Sequence, residues 1–204
     1  MNKTLLVLLF AFPLLLRAQT KSDDTTTVET LVCIRHGEKP AAGLGQLNVR
    51  GLNRALALPD VLLKKFGTPQ FIFAPNPTEK IDTVPGYYYV RPLMTIEPTA
   101  IRCGLPVNTE FGYLHIKNLE IELLKPEYRN ATIFISWEHV LVHDFVKNVI
   151  KDNGGDPAEV PTWSGKDYDS IFVVKITRSG SHASVAFTID REGLNNSLSD
   201  NYPK

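Results

Sequence analysis

Apolar and polar positions follow one another in blocks along the chain, and their periods predict strands that alternate with helices. Short apolar runs predict buried strands, and longer segments with an apolar stripe at helical spacing predict helices. The predicted strands are 31–34, 71–74, 105–107, 131–136, 170–177 and 183–189, and the predicted helices are 49–65, 92–103, 115–125 and 138–151. This order predicts a single-domain α/β fold, with a largely parallel sheet flanked by helices and a C-terminal antiparallel hairpin. Pro59 predicts a kink in the first helix or its division in two.

The N-terminus has the pattern of an export signal. Lys3 precedes an apolar run from Leu5 to Leu16, which is short for a membrane span of about 20 residues, and Ala18 is a small residue suited to cleavage. An uncleaved anchor is the alternative. We expect a signal peptide over 1–19, a polar lead-in over 20–29, one domain over 30–194 and a mobile polar tail over 195–204. The expected location is periplasmic or secreted, with no stable membrane span after cleavage.

The charge and cysteine content narrow the function classes. The chain has 22 Lys and Arg and 22 Asp and Glu, so its formal net charge is zero. Nothing in this balance suggests a nucleic-acid partner. Export permits a Cys33–Cys103 disulfide, but Cys33 falls in a predicted buried strand, where a cysteine is more often a small core residue. The sequence leaves the oligomeric state open.

Three polar motifs stand where predicted strands and helices meet. Arg35 and His36 follow the first strand directly, Arg91 stands beside the start of a helix, and His139 follows the strand over 131–136. Because the carboxyl ends of parallel strands share one edge of a sheet, these side chains can converge there. A histidine in such a place can act as a nucleophile while guanidinium groups hold an anion against it. The pattern favours chemistry on a phosphoryl group.

These motifs, in this order, resemble the histidine phosphatase superfamily, which includes the phosphoglycerate mutases. The resemblance rests on the strand and tetrad over Leu31–Glu38, on Leu47-Asn48-x-x-Gly51-x-x-Arg54-Ala55, on Arg91-x-x-x-Thr95, and on the strand that leads into His139. Together the motifs span most of the chain that follows the export signal. The resemblance implies an α/β fold and a phosphoryl-transfer activity.

The resemblance also implies a role for each matched residue. His36 would attack phosphorus and become transiently phosphorylated, Arg35 and Arg91 would hold the phosphoryl oxygens, and His139 would contact the same group. The implied enzyme is a metal-independent phosphomonoesterase that needs no cofactor and acts on a small phosphorylated substrate. Hydrolysis is favoured over mutase chemistry, because export would separate the protein from cytoplasmic intermediates and the chain is short.

The proton donor for the leaving group is less well defined. Family members take this proton from a carboxylate in different places, and Glu110 is roughly where one branch keeps its glutamate. Another branch has an aspartate directly after the second histidine, where this chain has Val140. Glu110 is therefore the first candidate for the general acid and Glu138 the second, while Glu38 is expected to orient its loop.

Two functions of other classes stay open. A phosphate- or phospholigand-binding module could keep the anion pocket and lack turnover, and the uncertain proton donor favours this alternative. His139 and His143 are four apart on a predicted helix, a spacing that can bind zinc. No clear third ligand accompanies them, so we expect no metal.

Overall fold

The computed structural model describes residues 25–80 and 86–203. The predicted export signal over 1–19 and the first half of the lead-in lie outside these residues. Within the described part of the chain, no helix is both long enough and apolar enough to cross a membrane.

The observed elements follow the predicted order. The strands are β1 (Thr27–Arg35), β2 (Phe71–Phe73), β3 (Thr132–Trp137), β4 (Ser170–Ser179) and β5 (His182–Arg191), and the helices are α1 (Val49–Phe66), α2 (Arg91–Cys103), α3 (Ile116–Glu122) and α4 (His139–Asp152). The segment 105–107, predicted as a strand, forms none; its neighbour Asn108 makes a single bridge to Phe73. Pro59 lies inside α1 without dividing it.

The sheet has the order β2-β3-β1-β4-β5. β2, β3 and β1 run parallel, whereas β4 and β5 are antiparallel to their neighbours and form the C-terminal hairpin. The predicted fold class is therefore confirmed, and the sheet is open. Arg35 at the end of β1 pairs with Trp137 at the end of β3. This register places His36 beside Glu138, because each directly follows its strand, and His139 is the next residue in the chain.

Helices cover both faces of the sheet, as the alternation of apolar residues along the strands requires. Leu31 and Cys33 of β1 pack toward α3 and α4. Val32 and Ile34 point to the other face and pack with α1 and α2. Both cysteines are unpaired, and Cys33 is buried in the core.

The backbone after β1 is held tightly against the first turn of α1. Asn48 caps this helix, with its side chain accepting a hydrogen bond from the Gly51 N–H at 2.9 Å. A Cβ added to Gly51 would lie only 2.3 Å from the carbonyl oxygen of Glu38. Glycine is therefore required at position 51, and the close approach fixes the loop that carries His36.

The C-terminal tail is polar as expected, but it packs against α1 and is not free. Asn53 Nδ2 donates hydrogen bonds to the carbonyl oxygens of Ser199 and Asn201, both at 2.8 Å. Arg50 donates to the carbonyl oxygen of Leu198 at 3.1 Å. Half-buried donors on α1 thus hold backbone carbonyls of the segment for which the sequence predicts a mobile tail.

Candidate active site

His36 lies at the carboxyl edge of the sheet with only 2% of its surface exposed. Its backbone N–H donates to the carbonyl oxygen of Trp137 at 3.0 Å, which continues the pairing of β1 with β3. Its Nδ1 lies 2.7 Å from the carbonyl oxygen of Gly37. A carbonyl can only accept, so Nδ1 carries a proton, and the neutral ring has its lone pair on Nε2.

The surroundings of His36 keep its ring neutral. Burial is the largest cause, and the charges of Arg91 and Arg35 add to it, while the hydrogen bond to Gly37 opposes them. Together these effects lower the pKa of His36 to about 3. An uncharged imidazole with a free Nε2 is the form of histidine that can attack an electrophile.

Arg35 is 3% exposed and is held by the loop between α4 and β4. One of its terminal nitrogens donates to the carbonyl oxygens of Gly165 at 2.8 Å and Asp167 at 3.2 Å. Its guanidinium carbon lies 3.9 Å from the centre of the Tyr168 ring, a cation–π contact. Its Nε is buried and has no hydrogen-bond partner among the described residues. Arg35 thus keeps a donor unpaired beside His36.

Arg91, at the first position of α2, is 5% exposed and has a matching arrangement. One of its terminal nitrogens donates to the carbonyl oxygen of Gly43 at 3.2 Å, from the loop after β1. Its guanidinium carbon lies 4.6 Å from the centre of the Tyr89 ring. Its Nε is also buried without a hydrogen-bond partner in the described part of the chain. Two arginines from different elements therefore flank one neutral histidine.

His139, the first residue of α4, reaches the same loop as Arg35. A Cβ built on Gly165 would lie 3.4 Å from His139 Nε2, and the carbonyl oxygen of Gly165 accepts from Arg35. The other ring nitrogen, Nδ1, lies 2.5 Å from Glu138 Oε1. The structure thus brings Arg35, His36, Arg91 and His139 to one edge of the sheet, as expected.

Glu138 is an ionised carboxylate that supports both His139 and the start of α4. Its Oε2 accepts hydrogen bonds from the backbone N–H groups of Val140 at 2.8 Å and Leu141 at 3.0 Å. Burial raises the pKa of Glu138, but His139 and these two N–H groups outweigh burial and hold the pKa below its ordinary value. An acid with a lowered pKa is a poor proton donor near neutral pH.

Glu110, the first candidate for the general acid, is exposed. Its charge affects the pKa values of Lys125 and Tyr128. The charge of Glu138, by contrast, acts on His36 and Arg35. In the described part of the chain, Glu110 makes no hydrogen bond or ion pair with His36 or His139; its backbone N–H donates to Asn108 Oδ1 at 2.9 Å, just beyond the carboxyl end of β2.

Glu38 orients its loop through Arg54, a residue to which the sequence motif gave no role. The Arg54 guanidinium donates to both Glu38 carboxylate oxygens, at 2.9 and 2.7 Å. Arg54 is fully buried, and it also contacts the carboxylate of Glu192 and the side chain of Asn195. The sequence does place an arginine among the apolar positions of α1. This pattern could have indicated a buried ion pair, since a buried guanidinium requires acidic partners.

The two aromatic residues beside the arginines were also not predicted as site residues. Tyr89 covers Arg91 and Tyr168 covers Arg35, and both rings lie near His36, with centroids 6.1 and 6.2 Å from its ring. Sequence alone could not place Tyr168, because it belongs to a loop whose path depends on Asp167. The Asp167 carboxylate accepts from Ser170 Oγ at 2.6 Å and from two backbone N–H groups.

His143 takes no part in the cluster. Its Nδ1 lies 3.0 Å from Asp144 Oδ1, while His139 turns its own Nδ1 to Glu138. Across residues 25–80 and 86–203, no three His, Cys, Asp or Glu side chains are grouped as a metal site would require.

Comparison with solved structures identifies the fold. A mycobacterial glucosyl-3-phosphoglycerate phosphatase solved with inorganic phosphate is 15% identical; the match covers 78% of this chain and 95% of that one, with a TM-score of 0.55. A SixA protein from Nakamurella multipartitia, assigned as a phosphohistidine phosphatase, is 14% identical over 80% of this chain and 95% of its own, with a TM-score of 0.54. A phosphoglycerate mutase from Plasmodium falciparum is 11% identical over 79% of this chain and 89% of its own, with a TM-score of 0.50.

The sequence matches no protein-family model, and no curated protein matches it significantly. The structural neighbours nevertheless belong to the histidine phosphatase superfamily. The resemblance expected from the motifs is therefore confirmed for the fold.

Proposed function

We propose that this chain is an exported, metal-independent phosphomonoesterase that works through a phosphohistidine on His36. One observation carries the proposal: among the described residues, a neutral histidine with a free Nε2 lies beside two buried arginines, each with an unpaired Nε. Buried cationic donors are expected to have an anionic partner, because leaving them unpaired is costly. A phosphoryl group supplies such a partner, and the names of the structural neighbours are those of phosphatases and a mutase.

The reaction divides into two transfers at phosphorus. In the first, His36 Nε2 forms a bond to phosphorus while the bond to the ester oxygen breaks, and the leaving oxygen takes up a proton. In the second, water attacks phosphorus, the P–N bond breaks, and His36 is regenerated with release of inorganic phosphate. Charge spreads over the non-bridging oxygens in both steps, so Arg35 and Arg91 act by stabilising that charge.

The pair of Glu138 and His139 is the source we infer for the leaving-group proton. The Glu138 carboxylate lies 2.5 Å from His139 Nδ1 without a hydrogen bond of ordinary geometry, and its negative charge favours the positive ring that forms when His139 holds the leaving-group proton on Nε2. His139 then donates from Nε2 in the first step and takes a proton from the attacking water in the second. Glu138 acts through His139, and Glu110 takes no part.

Replacing Glu138 tests this assignment, because Glu138→Gln keeps an oxygen to cap α4 but removes the charge beside His139. We expect kcat for glycerol phosphate, which has a poor leaving group, to fall about 10²-fold. The decrease for p-nitrophenyl phosphate should be below about tenfold, since its leaving group needs little protonation. Glu110→Gln is the matched control and should leave both rates unchanged. A loss in Glu110→Gln with full activity in Glu138→Gln would contradict the assignment.

Activity is expected to persist in mild acid. The pKa of His36 is lowered to about 3, so the nucleophile stays unprotonated down to pH values where an ordinary histidine, with a pKa of about 6.5, is charged. A base whose pKa is lowered in the folded protein stays unprotonated, and therefore reactive, at every pH above that pKa. It is lost as the reactive form only when the pH falls through the lowered pKa. Because this pKa is that of the free protein, kcat/KM for p-nitrophenyl phosphate should change less than about twofold between about pH 7 and about pH 5.5. A rate that falls to half near about pH 6.5 would contradict a neutral buried His36.

Measuring the release of inorganic phosphate distinguishes an enzyme from the alternative, a phosphate-binding module without turnover. The full chain is incubated with p-nitrophenyl phosphate and a small panel of natural phosphoesters, with and without EDTA. Release that EDTA does not inhibit supports the enzyme. Binding of inorganic phosphate without release from any substrate would instead identify a binding module.

Export is proposed from the pattern over 1–19, and cleavage after secretion is checked by N-terminal sequencing.

A further inference from the structure

The side chain of Tyr89 is almost fully buried, at 1% exposure, and its hydroxyl has no hydrogen-bond partner among the described residues. A buried hydroxyl without a partner is costly, and such groups in native proteins usually have a functional reason. The neighbouring Tyr88 is 55% exposed, so burial is specific to Tyr89. Packing alone would be served equally well by phenylalanine.

Tyr89 lies among the groups assigned to the phosphoryl site. Its ring stands edge-on to His36, at 6.1 Å and an interplanar angle of 87°. The Arg91 guanidinium lies over the same ring at 4.6 Å. The charges of Arg91, Glu138 and Arg35 act on the ionisation of its hydroxyl, and Arg91 also interacts with the hydroxyl directly without reaching hydrogen-bond geometry. The contacts of its ring with His36 and Arg91 therefore place Tyr89 in this cluster.

The hydroxyl is suited to donate a hydrogen bond and unsuited to act as a base. Burial is the largest cause that raises the pKa of Tyr89 above its ordinary value, and the two arginines oppose burial only in part. The phenol therefore keeps its proton at neutral pH. Four buried side-chain atoms of this cluster lack hydrogen-bond partners in the described part of the chain: Arg35 Nε, Arg91 Nε, His139 Nδ1 and Tyr89 Oη.

We propose that the Tyr89 hydroxyl donates a hydrogen bond to a non-bridging oxygen of the bound phosphoryl group. It would be a further catalytic residue, acting with Arg35, Arg91 and His139. This inference rests on the proposed function for its part in turnover, whereas its part in anion binding needs no reaction. No bond to Tyr89 forms or breaks, and its proton stays on the phenol.

The test compares the full chain with Tyr89→Phe and with Tyr88→Phe as the matched control. Binding of inorganic phosphate is measured by calorimetry, hydrolysis of p-nitrophenyl phosphate by initial rates, and folding by thermal unfolding. We expect Tyr89→Phe to weaken phosphate binding at least about fivefold and to lower kcat/KM at least about tenfold. Its unfolding temperature should be equal to or above that of the wild type, because the variant removes a buried hydroxyl without a partner. Tyr88→Phe should match the wild type in all three measurements.

The outcomes separate this inference from the proposed function. Wild-type affinity and turnover in Tyr89→Phe would overturn the inference and leave the phosphatase intact. Losses accompanied by a lower unfolding temperature, or losses of equal size in Tyr88→Phe, would also overturn it, since they indicate a packing role. If the wild-type chain binds phosphate but hydrolyses nothing, the proposed function fails. Weaker phosphate binding by Tyr89→Phe would still support the donor.

Discussion

Replacement of His36 by alanine is expected to lower kcat for p-nitrophenyl phosphate by ~10³-fold or more. The substitution removes the Nε2 lone pair, which is the nucleophile, and leaves both arginines in place. Initial rates in the presence of EDTA measure the effect. The same loss is expected in His36→Asn, whose amide N–H can still donate to the carbonyl oxygen of Gly37 that now accepts from Nδ1 at 2.7 Å.

The control for this prediction is His182→Ala, because His182 is exposed at the start of β5 and lies in the C-terminal hairpin. This variant should keep wild-type activity. Circular dichroism should show that both His36 variants are folded. More than about a tenth of wild-type kcat in a folded His36→Ala protein would contradict a nucleophilic His36.

Replacement of Arg54 by methionine is expected to have the largest effect on stability. Arg54 is fully buried and is the cation shared by Glu38 and Glu192, whose side chains are 13% and 0% exposed. Removing the cation of a buried ion pair costs about 3–5 kcal/mol; burial already raises the pKa of Glu192 to about 8 against the effect of Arg54, so Glu192 then takes up a proton and Glu38 loses its main cation. Equilibrium denaturation should show this decrease in the free energy of unfolding. Activity should also fall, because Glu38 then no longer orients the loop of His36.

Arg102→Met is the matched control for Arg54→Met. Arg102 pairs with Asp60 at 2.9 Å, but the two side chains are 53% and 78% exposed. Such a surface pair contributes about 0–1 kcal/mol. If Arg54→Met fails to fold, Arg54→Lys keeps the charge and should give a measurable, intermediate loss. Equal losses for Arg54→Lys and Arg102→Met would contradict a structural role for the buried network.

The carboxyl ends of β1 and β3 could be predicted from the sequence, because the apolar run of each strand stops directly before the polar residues of a motif. An apolar run that stops at Arg35 or at Ser136 marks both a buried strand and its carboxyl end, so the convergence of His36 and His139 followed from parallel pairing. The polar tail could not be assigned in this way. Its backbone carbonyls are fixed by Arg50 and Asn53 on α1, and such contacts between distant segments leave no periodic signal.

For the proton donor, by contrast, the sequence does not show which carboxylate contacts the second histidine. The motifs make Glu110 the first candidate and Glu138 the second, but the contacts of each carboxylate are seen only in the fold. Glu138 begins α4 beside His139, whereas Glu110 follows the last residue paired with β2. Tyr89 was one of three adjacent tyrosines, and its burial depends on the contact of the 86–90 segment with Arg91 and His36.

The phosphohistidine on His36 is tested most directly by trapping it. The full chain is mixed with excess p-nitrophenyl phosphate, quenched in base, where phosphohistidine survives, and digested for mass spectrometry. We predict one added phosphoryl group on His36, lost on acid treatment and absent from His36→Ala. Steady turnover with no label on His36, or a label that builds up and decays at catalytic rates on another residue, would contradict the mechanism.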